Sequence, residues 1–134
     1  MTKSVQIDKI VDFLKATSTV ATIVSDRVFF GEPMREQSWV YIAVSPVSEV
    51  RELVNKQALV EIRLVWNDEN VRKKQLIDLI NIITDEITTT DTNQTFNFNW
   101  FVCYKVVEAW GFDLLVSDKN KNILIKDYIF YFLS

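Results

Sequence analysis

The sequence predicts an α+β fold in which a mostly antiparallel sheet is covered on one face by two main helices, and three observations predict it. Two segments repeat their apolar residues with the period of a helix, while several others alternate with the period of a strand. The strand-like runs follow one another through short connections instead of alternating regularly with helices, which favours antiparallel pairing. At 134 residues, 49% hydrophobic, with two Gly and two Pro, the chain reads as one packed domain over 1–134. A domain of this size buries roughly two-thirds of the surface its unfolded chain exposes.

The first element is an amphipathic helix from Val5 to Ala16, with Ile7, Ile10, Val11 and Leu14 on one side and Ser4 as a candidate N-cap. The β-branched stretch "STVATIVSD" predicts a brief helical turn capped by Ser18 or Thr19, closed by Asp26 and leading into a strand at "RVFF". Gly31 and Pro33 break that strand, because Gly reaches backbone angles closed to other residues and Pro removes a ladder donor. From Trp39 to Pro46 the chain alternates, with Val40, Ile42 and Val44 on the core side and Trp39, Tyr41, Ala43 and Ser45 on the other. "SPVSEVRELVNKQ" reads as a polar loop or a long hairpin connection. Alternation resumes from Ala58 to Trp66, with Val60, Ile62, Leu64 and Trp66 toward the core, and these two strands are expected to pair antiparallel.

The strongest helix signal follows an Asn67 or Asp68 cap and aligns Val71, Leu76, Leu79, Ile80, Ile83 and Ile87. "TTTDTNQTFNFN" is a polar connection grading into a strand at Phe96 and Phe98. The remainder gives two strands around a loop at "SDKNKN". The predicted order is helix, strand, strand, strand, helix, strand, strand.

Composition excludes much chemistry. The chain has no histidine, so Ser-His-Asp triads, Cys-His dyads and imidazole metal sites cannot be built. Gly31 and Gly111 stand alone, which leaves no phosphate-cradling loop. A net charge of −3 offers no broad cationic surface for nucleic acid. The lone Cys103 sits among apolar residues and reads as a buried thiol in a reducing compartment. Charged residues interrupt the N-terminal apolar positions and no apolar run reaches bilayer length, so a cytosolic protein or a soluble particle component is expected, with no membrane. The surviving carboxylate pairs are Asp68 with Glu69 and Asp85 with Glu86. Adjacent helical positions diverge, so a solvated face is the better reading of both. No catalytic residue, cofactor or metal is expected.

Several strands carry apolar residues on both faces. Trp39 and Tyr41 oppose their strand's core set, and Leu124, Tyr128, Phe130 and Phe132 oppose Ile123, Ile125, Ile129, Tyr131 and Leu133. Two helices cover one sheet face, so the other needs a cover. Either the C-terminal strand is buried within its own chain, or the uncovered surface is a subunit interface, for which aromatics are well suited. A heterologous contact that closes into a ring would leave no patch exposed. The interface candidates are Phe29, Phe30, Trp39, Tyr41, Tyr128, Phe130 and Phe132. In "VFFGEP", Val28 and one of Phe29 or Phe30 are expected beneath the first helix, with the other Phe facing a neighbouring subunit.

The ordered set Val20, Ile23, Val24, Asp26, Arg27, Val28, Gly31, Pro33, Tyr41 and Ile42, followed by "ALVEIRLVW" and the helix "QLIDLINIITDEI", resembles the phage tail terminator family of tail completion, or tail-to-head joining, proteins. The resemblance covers about the first two-thirds of the chain; the last third has no counterpart in it. It implies a non-enzymatic subunit that forms a hexameric homo-oligomeric ring on the tail tube, stops tube growth and meets a head-completion protein, with DNA only passing through the lumen. It implies a place in the virion, at the head-proximal end of the tail, after assembly in the host cytoplasm. On this reading Glu49, Arg51, Glu52 and Lys56 reach an adjacent ring or line the lumen. The alternatives are a head-completion or neck adaptor protein and, from a different class, a small Mg-dependent hydrolase or nuclease using Asp68, Glu69 or Asp85.

Overall fold

The computed structural model describes residues 7–35, 39–51, 55–66, 73–88, 96–98, 101–116 and 121–133. Within them the chain is α+β. In order the elements are α1 (Ile7–Ala16), α2 (Ser18–Val24), β1 (Val28–Phe30), β2 (Tyr41–Arg51), β3 (Asn55–Trp66), α3 (Lys73–Ile87), β4 (Phe96–Phe98), β5 (Phe101–Val116) and β6 (Asn122–Leu133). The strands form one six-stranded sheet in the order β1-β2-β3-β6-β5-β4. Every neighbouring pair is antiparallel except β1 with β2, which run parallel from Val28↔Ile42 to Phe30↔Val44.

The core follows from the two periods read together. Ile7, Ile10, Val11 and Leu14 of α1 and Leu76, Leu79, Ile80, Ile83 and Ile87 of α3 are buried against Val40, Ile42, Val44, Val60, Ile62 and Leu64. The helical stripes and the expected inward sets of β2 and β3 thus meet on one face, and burying each such side chain is worth roughly 1.5–3 kcal/mol. Val28, Val20 and Val24 complete this layer beside α1. The brief turn expected after α1 is a seven-residue helix, α2. Its N-cap is Thr17 rather than Ser18 or Thr19, and Thr17 supplies no side-chain cap: its hydroxyl donates back to the Phe13 carbonyl at 2.8 Å.

Arg27 ties α2 to the sheet. Its Nε donates to the Val40 carbonyl at 2.9 Å and its Nη2 to the Ile23 carbonyl at 3.4 Å, joining the end of α2 to the start of β2. Ser25, at the C-cap of α2, takes φ 56°, a left-handed conformation that costs a non-glycine residue on the order of 1–3 kcal/mol. Gly31 also has positive φ, at +70°, and its N–H donates to the Val44 carbonyl at 2.8 Å, so the turn read from "GEP" is present.

The segment expected as a loop or hairpin connection differs. β2 continues to Arg51 and β3 starts at Asn55, with pairing from Ser48↔Leu59 to Arg51↔Lys56 after an irregularity at Pro46/Ser48. Backbone hydrogen bonds sustain a strand whose side chains have ceased to alternate, and alternation was the only signal available in the sequence. β5 likewise is one long strand, interrupted between Cys103/Lys105 and Glu108/Phe112. The second interruption is a bulge at Ala109, Trp110 and Gly111, a common place for glycine in a strand. Among the described residues no helix is long and apolar enough to cross a membrane.

Candidate assembly surface

The C-terminal strand carries the largest correction. Tyr128 and Phe130, expected at an interface, lie at 0% and 2% exposure in the main core with Leu124. β6 is an inner strand of the sheet: it pairs along its length with β3 on one side and β5 on the other, and these residues point toward the helices. The Tyr128 hydroxyl shares a 2.6 Å hydrogen bond with Thr84 of α3. Burial pushes the phenol far above its ordinary range, which the Thr84 hydroxyl only partly offsets. Phe132 occupies β6 opposite Lys56 and Cys103; its side chain, like that of Cys103, lies outside the described residues.

Tyr41 is also buried, in a small second cluster on the opposite sheet face with Ala43, Val65, Phe29 and Ile123. Phe29 meets the Tyr41 ring edge-on, with centroids 5.9 Å apart. Phe29 therefore packs away from α1, not beneath it; alternation along β1 sends Val28 to the helices and Phe29 to the other face. The Tyr41 hydroxyl donates to Glu32 at 2.9 Å, and Arg63 pairs with Glu32 at 3.2 Å and with Glu61 at 2.9 Å. The acid in "GEP" thus fastens the turn to the sheet.

The same face carries a cost. Asp127 sits directly across from Glu61 in the β3–β6 ladder, with one carboxylate oxygen buried and without a hydrogen-bond partner. Burial first, then the charges of Glu61 and Asp113, raise its carboxyl above the ordinary carboxylate range. Like charges directly opposite in a ladder repel.

What remains exposed is sorted by position. The large hydrophobic side chains left open among the described residues are Phe30, Met34, Trp39 and Val47 beside β1 and the start and outer edge of β2, and Trp110, Phe112 and Leu115 on β5. Those are the two margins of the sheet, because β1 pairs only with Ile42–Val44 of β2 and β4 only with Phe101–Cys103 of β5. Among the residues whose side chains are described, the helices and the inner strands β3 and β6 expose no large hydrophobic residue. Phe30 and Trp39, at 60% and 64% exposure, were legible as interface candidates. Trp110, at 61%, was not, since "EAWGF" reads as continuous strand.

The Trp110 bulge is held from within. Lys126, only 5% exposed, donates from Nζ to the Trp110 carbonyl at 3.1 Å and pairs with Glu108 at 2.8 Å, lying 5.7 Å from the centre of the Tyr128 ring. A charged hydrogen bond to a displaced carbonyl fixes the bulge that turns Trp110 outward.

Of the other residues singled out in the sequence, Glu49 and Arg51 stand in β2 and Lys56 in β3, with Arg51 opposite Lys56. Glu52, Asp68 and Glu69 lie outside the described residues, and Asp85 is exposed on α3. No group of three or more His, Cys, Asp or Glu side chains converges among the described residues.

Compared with known proteins, the chain matches no protein-family model and no curated protein sequence. Its fold does match solved structures. One is a chain of the "Virion of native gene transfer agent (GTA) particle", with a TM-score of 0.71 and 10% identity, covering 92% of this chain and 90% of that one. At that identity the likeness is one of fold.

Proposed function

We propose that this chain is a structural virion protein that caps a phage tail tube as a ring, ends tube polymerisation and offers the surface on which the tail joins the head. The observation that carries the reading is the shared fold, over nearly the whole length of both chains, with a subunit of a gene transfer agent virion. The tail-terminator resemblance of the first two-thirds supports the finer role. On this reading the chain forms a homo-oligomeric ring, six-membered as in the family it resembles, with the tail tube protein on one side and a head-completion protein on the other. DNA passes through the lumen without being held, and no catalysis or cofactor is involved. Phe30 and Trp39 belong to the subunit contact, and Glu49, Arg51, Glu52 and Lys56 face the neighbouring ring or the lumen.

Deleting the gene and imaging the resulting particles by electron microscopy tests the role. A terminator leaves overlong or unjoined tails. Tails of normal length beside DNA-leaking heads would transfer the chain to the neck, as a head-completion adaptor. Calorimetric titration with Mg²⁺ addresses the hydrolase alternative through Asp85 and the Asp68–Glu69 pair; binding heat there would revive it.

A further inference from the structure

We propose that the bulged β5 margin, anchored by Trp110, is the surface on which the β1 margin of a second copy of this chain, carrying Phe30 and Trp39, seats. The inference rests on the ring reading above and specifies its contact as margin to margin and heterologous.

The partition of exposed apolar side chains argues for it. They sit at or next to the two opposite ends of the strand order and, among the residues whose side chains are described, on neither the helices nor the inner strands β3 and β6. A foreign partner covering one margin would leave the other in water, and two copies meeting through like margins would do the same. A copy related by rotation presents one margin to the other and covers both.

The bulge is the second argument. It breaks the regular ladder of β5 between Glu108 and Phe112, so the outer edge of this strand is poorly suited to extending the sheet through its backbone. It instead projects Trp110, and the buried Lys126 holds the bulge through the Trp110 carbonyl. Tryptophan held outward on a rigid strand is the residue type that most often dominates binding energy.

The area is that of a weak contact repeated around a ring. With aromatic side chains contributing 150–250 Å² each when fully covered, the exposed parts on each margin amount to roughly 400 Å², or on the order of 800 Å² when the two meet. That falls below the roughly 1,200 Å² lower end of stable specific interfaces. A single pair is therefore weak, and closure into a ring, where each protomer makes two such contacts, supplies the rest.

The test uses the full chain and two margin variants, Trp110→Ser and the double variant Phe30→Ser/Trp39→Ser, each checked for an unchanged denaturation midpoint. Sedimentation velocity and amide NMR are followed to about 1 mM, the range of a contact worth roughly 4 kcal/mol. The wild type is expected to show concentration-dependent shifts at both margins together, and each variant to weaken self-association by roughly 30-fold or more. Mixed, the two variants are expected to form a dimer and nothing larger, because each retains the margin the other lacks. Shifts confined to one margin, a mixture that fails to pair although the wild type associates, or no shift at about 1 mM overturns the proposal. Rings that persist in Trp110→Ser would remove this contact and leave the ring reading standing. Paired margins in a chain whose deletion leaves tails unchanged would do the reverse.

Discussion

Tyr128 and Phe130 on β6 and Phe30, Trp39 and Trp110 at the sheet margins are the same kind of residue put to different uses. The first pair is sealed between sheet and helices, whereas the second set stands more than half exposed at the two ends of the strand order. The difference lies in the neighbours of each strand. β6 has a partner on both sides and α3 above it, so its aromatics become core. β1 is three residues long, and most of β5 has no outer partner among the described residues, so their aromatics remain available for another chain.

The comparison breaks first at the aromatics themselves. Phe130→Ala should cost about 3–5 kcal/mol in denaturant unfolding, since it empties a fully packed site. Phe30→Ala and Trp110→Ala should each stay within about 0.5 kcal/mol. A comparable loss at Trp110 would mean that the bulge belongs to the core. The Lys126 network sharpens the point. Glu108→Ala takes the Glu108 counter-charge from a buried ammonium, leaving it the Trp110 carbonyl and the Tyr128 ring, and should cost about 1–2 kcal/mol, whereas Lys126→Met removes the charge, keeps the stem and should cost less. Equal losses would show that the ion pair itself carries the stability.

Backbone changes come next. Ser25→Gly should raise stability by about 1 kcal/mol by relieving a left-handed serine, and Gly31→Ala should lower it by about the same amount. The space around Gly31 is open, with nothing within 4 Å of where an alanine methyl would stand, so only its backbone angle opposes the alanine. The smallest effect is at Asp127. Its carboxyl is raised in the folded state, so folding favours the protonated form, and the stability this lends is present in acid and lost as pH rises through the folded-state value. Asp127→Asn should therefore raise the melting temperature at pH 7, and the gain should vanish below the ordinary carboxylate range. A gain independent of pH would rule out this electrostatic origin.

The sequence made the covered face legible. The inward sets of α1, α3, β2 and β3 follow from period alone, because burial selects side chains at fixed intervals. The fold class and the turn at Gly31 were likewise readable. Three features were not. The outer half of the β2–β3 hairpin is held by backbone bonds that leave no side-chain pattern. The inward direction of Tyr128 and Phe130 depends on where β6 sits in the sheet, and a strand that is apolar on both faces does not reveal which face is covered. The Trp110 bulge had one available signal, a glycine inside a strand, but its purpose emerges only with Lys126, distant in sequence, beneath it. Of the candidate surface, Phe30 and Trp39 were in view from the start; their counterpart on β5 required the topology.

Cryo-electron microscopy of intact particles from cells carrying the gene tests the central claim most directly. A ring of this chain is expected at the head-proximal end of the tail tube, with Trp110 of each subunit against the Phe30 and Trp39 margin of the next. Density for the chain elsewhere in the particle, or a ring whose subunits meet through their helices with both margins in solvent, would contradict it.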